Sequence, residues 1–200
     1  MRSVVTIQSI FAIFAFVFSA ATYVPYVKSV LGSNSKPTIS SWLCWLLMDS
    51  AILAGMIAAD EIAWQMVAYV LGVIAVISAC VYKKAPLGWS RLDSISIAIV
   101  SIAIVLWVIS GNPNTAIILS LIALTVGTIP MWANLWKDPT REPLLPWVLV
   151  LTGGIFGVMA IPAMNIAAAL TPIYFLILQI LTVWLILRRF SLGLGVYTEP

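Results

Sequence analysis

The sequence predicts an all-α membrane protein: seven transmembrane helices, arranged 3+1+3 as two parallel three-helix bundles joined by one further helix. Three observations predict it. The first is composition. Of 200 residues, 62% are hydrophobic and 8% charged, where a soluble domain carries roughly 25% charged residues. Apolar runs of about 18 residues or more recur along the whole chain, which is the signature of a multi-pass protein. The second is an internal repeat. Pro25 and Pro130, Trp42 and Trp147, and Tyr69 and Tyr174 all stand 105 residues apart, as do Lys36 and Arg141, and Lys83-Lys84 and Arg188-Arg189. No gap is needed to align them, so the unit is duplicated. The third is charge. Lys28, Lys36, Lys83, Lys84, Arg91, Lys137, Arg141, Arg188 and Arg189 fall on one side of the spans, and only Arg2 on the other. The positive-inside rule then sets the N-terminus outside and the C-terminus in the cytoplasm of a plasma (inner) membrane.

Spans are expected at about 4–27, 39–59, 62–82, 91–110, 114–136, 144–162 and 165–187. The first resembles a signal peptide, since Arg2 precedes an apolar run and Phe18-Ser19-Ala20-Ala21 looks like a cleavage site. That reading is set aside, because the run is long for a signal and Pro25 has its repeat partner inside another span. Residues 1–84 form the first repeat and 113–189 the second, with a linker helix in 85–112 and a short cytoplasmic tail in 190–200. The linker, with Ser94, Ser96, Ser101 and Trp107, has no repeat partner. Counting assigns its role: a three-span unit followed directly by its copy would be inverted, and one added span restores the parallel orientation.

The charges and rare residue types exclude several function classes. A net charge of +3 is too small and scattered for nucleic acid. The chain has no histidine, which removes the commonest metal ligand and leaves any proton chemistry to carboxylates. No metal or cofactor is expected. Cys44 and Cys80 both lie toward the cytoplasmic side and are read as small, reduced core residues. No N-x-[ST] acceptor occurs, so a glycosylated receptor gains no support.

Asp49 is the sharpest single residue. It sits about ten residues from either end of its span, and a carboxylate at the bilayer centre costs roughly 2.5–3.5 kcal/mol on insertion scales. Such a residue faces a pathway or a partner, and Thr22 and Ser50 are the neighbouring hydroxyls that could hold it structurally. Trp42, Trp45, Asp49, Ile52 and Met56 recur at helical spacing and are expected to line a central pathway. The equivalent face of the sixth span carries Trp147, Val150, Leu151, Gly154, Gly157 and Ile161. Its glycines either leave room for a solute or let helices meet closely; Gly153-x-x-x-Gly157 has the small-residue packing pattern. Tyr69 and Tyr174, at matched places, need hydrogen-bond partners from a solute or a neighbouring helix. Gln65, Asn165 and Gln179 are weaker candidates, with Gln65 and Asn165 expected near the outer surface and its water. Trp64, Trp89, Trp132 and Trp136 are expected as interfacial anchors. Pro25 and Pro130 are expected to kink their helices near a cytoplasmic end and act as hinges.

The 3+1+3 plan, the proline near the cytoplasmic end of the first helix of each repeat, and the basic loop that follows resemble the PQ-loop and SWEET transporters. The resemblance covers essentially the whole chain. Pro25 is followed by Tyr26 and Pro130 by Met131, where family members typically carry glutamine. Pro25, Pro130 and Pro146 match prolines that SWEETs carry in their repeats, with Ser41 in place of the fourth. Leu-Leu-Met-Asp49 and Leu-Thr-Gly-Gly154 resemble the acidic and diglycine parts of the lysosomal members' L-L-D-x-x-G-G motif. The resemblance implies a gate at the prolines and transport of a small solute: a sugar on the SWEET side, an amino acid or related metabolite on the PQ-loop side.

The expected function is therefore alternating-access transport of a small polar solute, with Asp49, Trp45, Tyr69, Tyr174 and Gly154 along the pathway and Pro25, Pro130 and Pro146 as hinge or gate. Asp49 is the candidate proton site if flux is coupled. The partners are the solute, protons in the coupled case, and the lipid bilayer; an oligomer is compatible with the sequence. The alternative is a heptahelical receptor or sorting protein that binds without transporting. A retinal protein would need a lysine in the last span, and residues 165–187 contain none. One buried acid without histidine or a metal cluster argues against an enzyme.

Overall fold

The structure, a computed structural model, describes residues 6–32, 39–89, 91–140 and 142–193. Arg2, Lys36, Arg141 and the tail beyond residue 193 lie outside the described residues. Within them the protein is all-helical: α1 (Ile7–Leu31), α2 (Ile39–Ala58), α3 (Trp64–Tyr82), α4 (Arg91–Ser110), α5 (Pro113–Lys137), α6 (Leu144–Met159) and α7 (Thr171–Ser191). A five-residue π turn, Ile166–Leu170, runs directly into α7. Five segments are long and apolar enough to cross a membrane: α1, α3, α4, α5 and residues 166–191. The shorter α2 and α6 are apolar as well.

Local chemistry explains the boundaries. Thr6 caps α1 by accepting from the Ser9 N–H, and Asn112 caps α5 by accepting from the Asn114 N–H, with Pro113 in the first turn where its missing N–H costs nothing. Asn165 accepts from Ala168 N at 2.8 Å. Pro172 then lacks the N–H that would continue an ordinary α ladder back to Ala168, which accounts for a widened π turn just before it. The turns after α2 and α3 place Asp60 and Lys84 at positive φ, 55° and 53°.

Pro25 does not end its helix. α1 continues to Leu31, with Lys28 in the last turn. Pro25 removes only its own N–H bond to the carbonyl of Ala21, and the helix beyond it is favoured by a cation at its C-terminus. Pro130 likewise falls inside α5. Pro146 is the third residue of α6, in the first turn, so it cannot act there as a helix kink.

The helices form a closed ring. α3 packs against both α1 and α2, and α7 against both α5 and α6; α1 meets α6, and α2 meets α5. α4 lies outside the ring against α5 and α2. Ser40 Oγ donates to Asp93 Oδ2 at 3.2 Å, tying α2 to α4, and Ser96 Oγ donates to the Ala123 carbonyl at 3.2 Å, tying α4 to α5. Both ring seams are made close by glycine. A Cβ on Gly153 of α6 would stand 3.0 Å from Ser19 N and 3.2 Å from Ala15 O of α1, and one on Gly55 of α2 would stand 3.1 Å from Pro113 O at the start of α5. Beside Gly153, Phe156 packs against Phe11, Phe14 and Phe18 at 5.1–6.1 Å.

Successive helices alternate in direction. The described cations Lys28, Lys83, Lys84, Arg91, Lys137, Arg188 and Arg189 all gather at one end, where Arg189 Nη2 donates to the Glu142 carbonyl and Arg188 Nη1 to the Trp136 carbonyl. At the other end Asn165 Nδ2 donates to Glu61 Oε1 at 3.0 Å. Cys44 and Cys80 are buried free thiols.

Candidate functional site

The ring encloses a cavity of about 120 Å³. At about 10–15 Å³ for each water-sized group, that is room for on the order of ten such groups. It runs from the middle of the bundle toward the basic end. Its walls come from the second half of α1 (Thr22, Tyr23, Tyr26), the first half of α2 (Trp42, Trp45, Asp49), α3 (Tyr69, Val73), the second half of α5 (Leu124, Thr128, Met131), the loop residue Glu142, the start of α6 (Pro146, Trp147, Val150) and α7 (Phe175, Leu178, Gln179). Toward the opposite end, the glycine-tight seams close the bundle.

Asp49 is 4% exposed and lines this cavity. Its Oδ1 has no hydrogen-bond partner. Thr22, one candidate structural partner, spends its hydroxyl elsewhere, on the carbonyls of Phe18 at 3.2 Å and Pro146 at 3.3 Å. The second bond joins α1 to α6. Tyr23, Tyr69 and Tyr174 lie within electrostatic reach of Asp49. The ring of Tyr23 occupies the place where a Cβ on Gly72 of α3 would stand, so α1 and α3 meet closely there.

Trp45 and Tyr69 join Asp49 at the cavity, but two other expected pathway residues do not line it. Tyr174 shares a hydrogen bond of 2.8 Å with Thr125 of α5 and packs edge-on against Phe175, so a neighbouring helix satisfies its hydroxyl. Gly154 makes room for a side chain. A Cβ there would fall on Gln179 Oε1, while Gln179 Nε2 donates to Tyr69 Oη at 2.6 Å. The amide oxygen of Gln179 has no partner. Gly153 seats the backbone of α1 and Gly157 seats Gln65, so the small-residue pattern of α6 serves packing. Ile52 and Met56 are fully buried in the core away from the cavity wall.

Sequence reasoning missed Tyr23, Tyr26 and Glu142. Glu142 was legible only through its position four residues before the start of the cavity-lining stretch of α6, Pro146-Trp147. It is half-buried by exposed area yet closely surrounded, and Trp147 Nε1 donates to its Oε2 at 3.3 Å. Burial pushes its carboxyl above the usual glutamate range, and the Trp147 bond works against that rise. Trp132 is no interfacial anchor: its Nε1 donates to the buried Thr182 at 2.9 Å. Trp64, Trp89 and Trp136 are exposed at the helix ends, and Arg188 lies 3.8 Å over the Trp136 ring.

A smaller cavity of about 40 Å³ lies toward the opposite end, against Gln65, Glu61, Trp64 and Gly157. Gln65 was expected near water; instead it is 0% exposed and neither of its amide atoms has a partner. Among the described residues no group of three or more metal-ligating side chains occurs. No family model matches the sequence, and neither a curated protein nor a solved structure matches it.

Proposed function

We propose that the chain is a membrane transporter for a small solute, built as seven spans in a 3+1+3 plan with two parallel repeats, of the PQ-loop and SWEET kind. The observation that carries the reading is a cavity between α1–α3 and α5–α7 whose wall holds a buried carboxyl group, Asp49, with one oxygen left without a hydrogen-bond partner. An intramembrane acid facing a cavity is a functional feature by default. The duplicated plan is supported by the helix contacts: raising each ring helix number by four, in a ring of two sets of three, returns the same packing partners. It is also supported by the cavity wall. Tyr23 and Thr128, Tyr26 and Met131, Trp42 and Trp147, Trp45 and Val150, and Val73 and Leu178 all line it, each pair 105 residues apart.

The gathering of cations at one end supports a cytoplasmic assignment for that end, in a plasma (inner) membrane with the N-terminus outside. The cavity then belongs to an inward-facing state, and alternating access moves the two halves about Pro25 and Pro130. Asp49 is the residue through which protons couple to flux in this scheme. The test is purified protein in liposomes, screened with labelled sugars, amino acids and amines, with and without a pH gradient. Saturable uptake that Asp49→Asn alters is the expected result. Binding without any uptake moves the chain to the receptor reading.

A further inference from the structure

Resting on that transport reading, we propose that the solute is an organic cation, a protonated amine or quaternary ammonium, held with Asp49 as its counter-charge inside an aromatic cage. Charge is the first argument. Two carboxyl groups, Asp49 and Glu142, line the cavity, and among the described residues no lysine or arginine does. The one cation that reaches Glu142 from α7, Arg189, bonds its backbone carbonyl and not its carboxylate. A solute bearing a carboxylate or phosphate would meet like charge here without a partner, which a desolvated site penalises strongly.

Hydrogen-bonding capacity is the second argument, and it is independent of the acids. The donors in the wall are largely spent inside the protein: Thr22 on two carbonyls, Trp147 on Glu142, and the Gln179 amide nitrogen on Tyr69. The fully buried side-chain atoms of the wall that have no partner are both acceptors, Asp49 Oδ1 and Gln179 Oε1, on side chains that are 4% and 1% exposed. A ligand that satisfies them donates or is positive.

Seven of the wall residues are aromatic, interleaved with aliphatic ones. Trp42 stands 5.0 Å from Trp45, edge to face, and 5.0 Å from Tyr26. Tyr69 stands 4.9 Å from Phe175 across the junction of α3 and α7. Aromatic faces attract cations, and cages of this kind recognise ammonium groups. An inorganic cation fits poorly, because Ca²⁺ or Mg²⁺ needs about six oxygen ligands and this wall is mostly carbon. A neutral sugar could donate to the acceptors but would leave the buried carboxylate charge uncompensated.

The test uses the full chain in detergent and two fixed-charge probes, choline and benzyltrimethylammonium, each beside its neutral carbon isostere, 3,3-dimethylbutan-1-ol and neopentylbenzene. Glycine betaine serves as a zwitterion of choline's shape. Binding is read by calorimetry and by quenching of tryptophan fluorescence. At least one cation is expected to bind about tenfold or more tightly than its isostere, and betaine about tenfold or more weakly than choline. Asp49→Asn is expected to weaken the cation about tenfold and leave the isostere unchanged. If neither cation binds, or an isostere or betaine binds as tightly as its cation, the proposal is overturned. Should Asp49→Asn fail to fold, the comparison of cation with isostere on the unaltered protein still decides. Liposome flux separates the two readings. A cation that binds but never crosses ends the transport reading and keeps the ligand chemistry. A sugar or neutral amino acid that crosses while no cation binds does the reverse.

Discussion

Positions 49 of α2 and 154 of α6 are 105 residues apart and hold opposite things. In α2 the position carries an acid that lines the cavity and keeps one oxygen without a partner. In α6 it carries a glycine, and the space is filled by Gln179 reaching across from α7. Two helix turns away, on each helix, the wall is alike, with Trp42 matched by Trp147; one turn away both matched positions, Trp45 and Val150, again line it. The two halves therefore share a scaffold and differ at its chemical centre. A site of this kind carries a single deep charge on one side and a neutral amide on the other, which suits a solute with one charged end. On the proposed duplicated plan, the frame is repeated and the residue at its centre is not.

The sharpest way to break the comparison is to place the same side chain at both positions. Gly154→Leu is expected to cost about 3 kcal/mol, because Gln179 fills the space and is itself held by Tyr69. Asp49→Leu is expected to stabilise the protein by about 1–3 kcal/mol, since it removes a buried acid with an unpartnered oxygen beside open space. Thermal midpoints of the detergent-solubilised variants check both signs. Equal destabilisation at the two positions would mean that Asp49 is held structurally and that the contrast is false.

A smaller effect sharpens the second half alone. Tyr69→Phe and Gln179→Leu, singly and together, are expected to show a coupling of about 1 kcal/mol in a double-mutant cycle. Additivity would mean that the 2.6 Å bond between them carries no stability.

The smallest effect concerns pH at the cavity mouth. Glu142 holds its proton to higher pH in the folded protein than in the unfolded chain, so its contribution to stability is fully present below the ordinary glutamate range and is lost as pH rises through the raised value. Glu142→Gln is expected to flatten that part of the stability-versus-pH curve. Trp147→Phe removes the opposing bond and is expected to move the loss to higher pH. A curve that Glu142→Gln leaves unaltered would contradict both.

Much of this was legible from the chain. Apolar runs bounded by charges mark all seven helices to within a few residues, since length and hydropathy are local properties. The matched tryptophans and Asp49 also announced themselves, as an aromatic pair at constant offset and an acid amid apolar residues. What stayed hidden depends on which side chain fills which space. A glycine such as Gly154 reads the same whether it leaves room for a solute or for Gln179. Gln65 sits one residue into α3, where sequence position suggests water, yet Gly157 of another helix encloses it. Pro25 looks like a helix end because its cost is local, while the six residues that continue α1 beyond it are favoured by their own context.

The outer helix α4 has a mechanical consequence. It is bonded to α2 through Ser40 and Asp93 and to α5 through Ser96 and the Ala123 carbonyl, so it straps one of the two seams and leaves the other without a strap. Parting α2 from α5 must break one of those bonds; parting α1 from α6 breaks neither. The α1–α6 seam is held directly instead, by the Thr22 hydroxyl on the Pro146 carbonyl and by Phe156 against Phe11, Phe14 and Phe18.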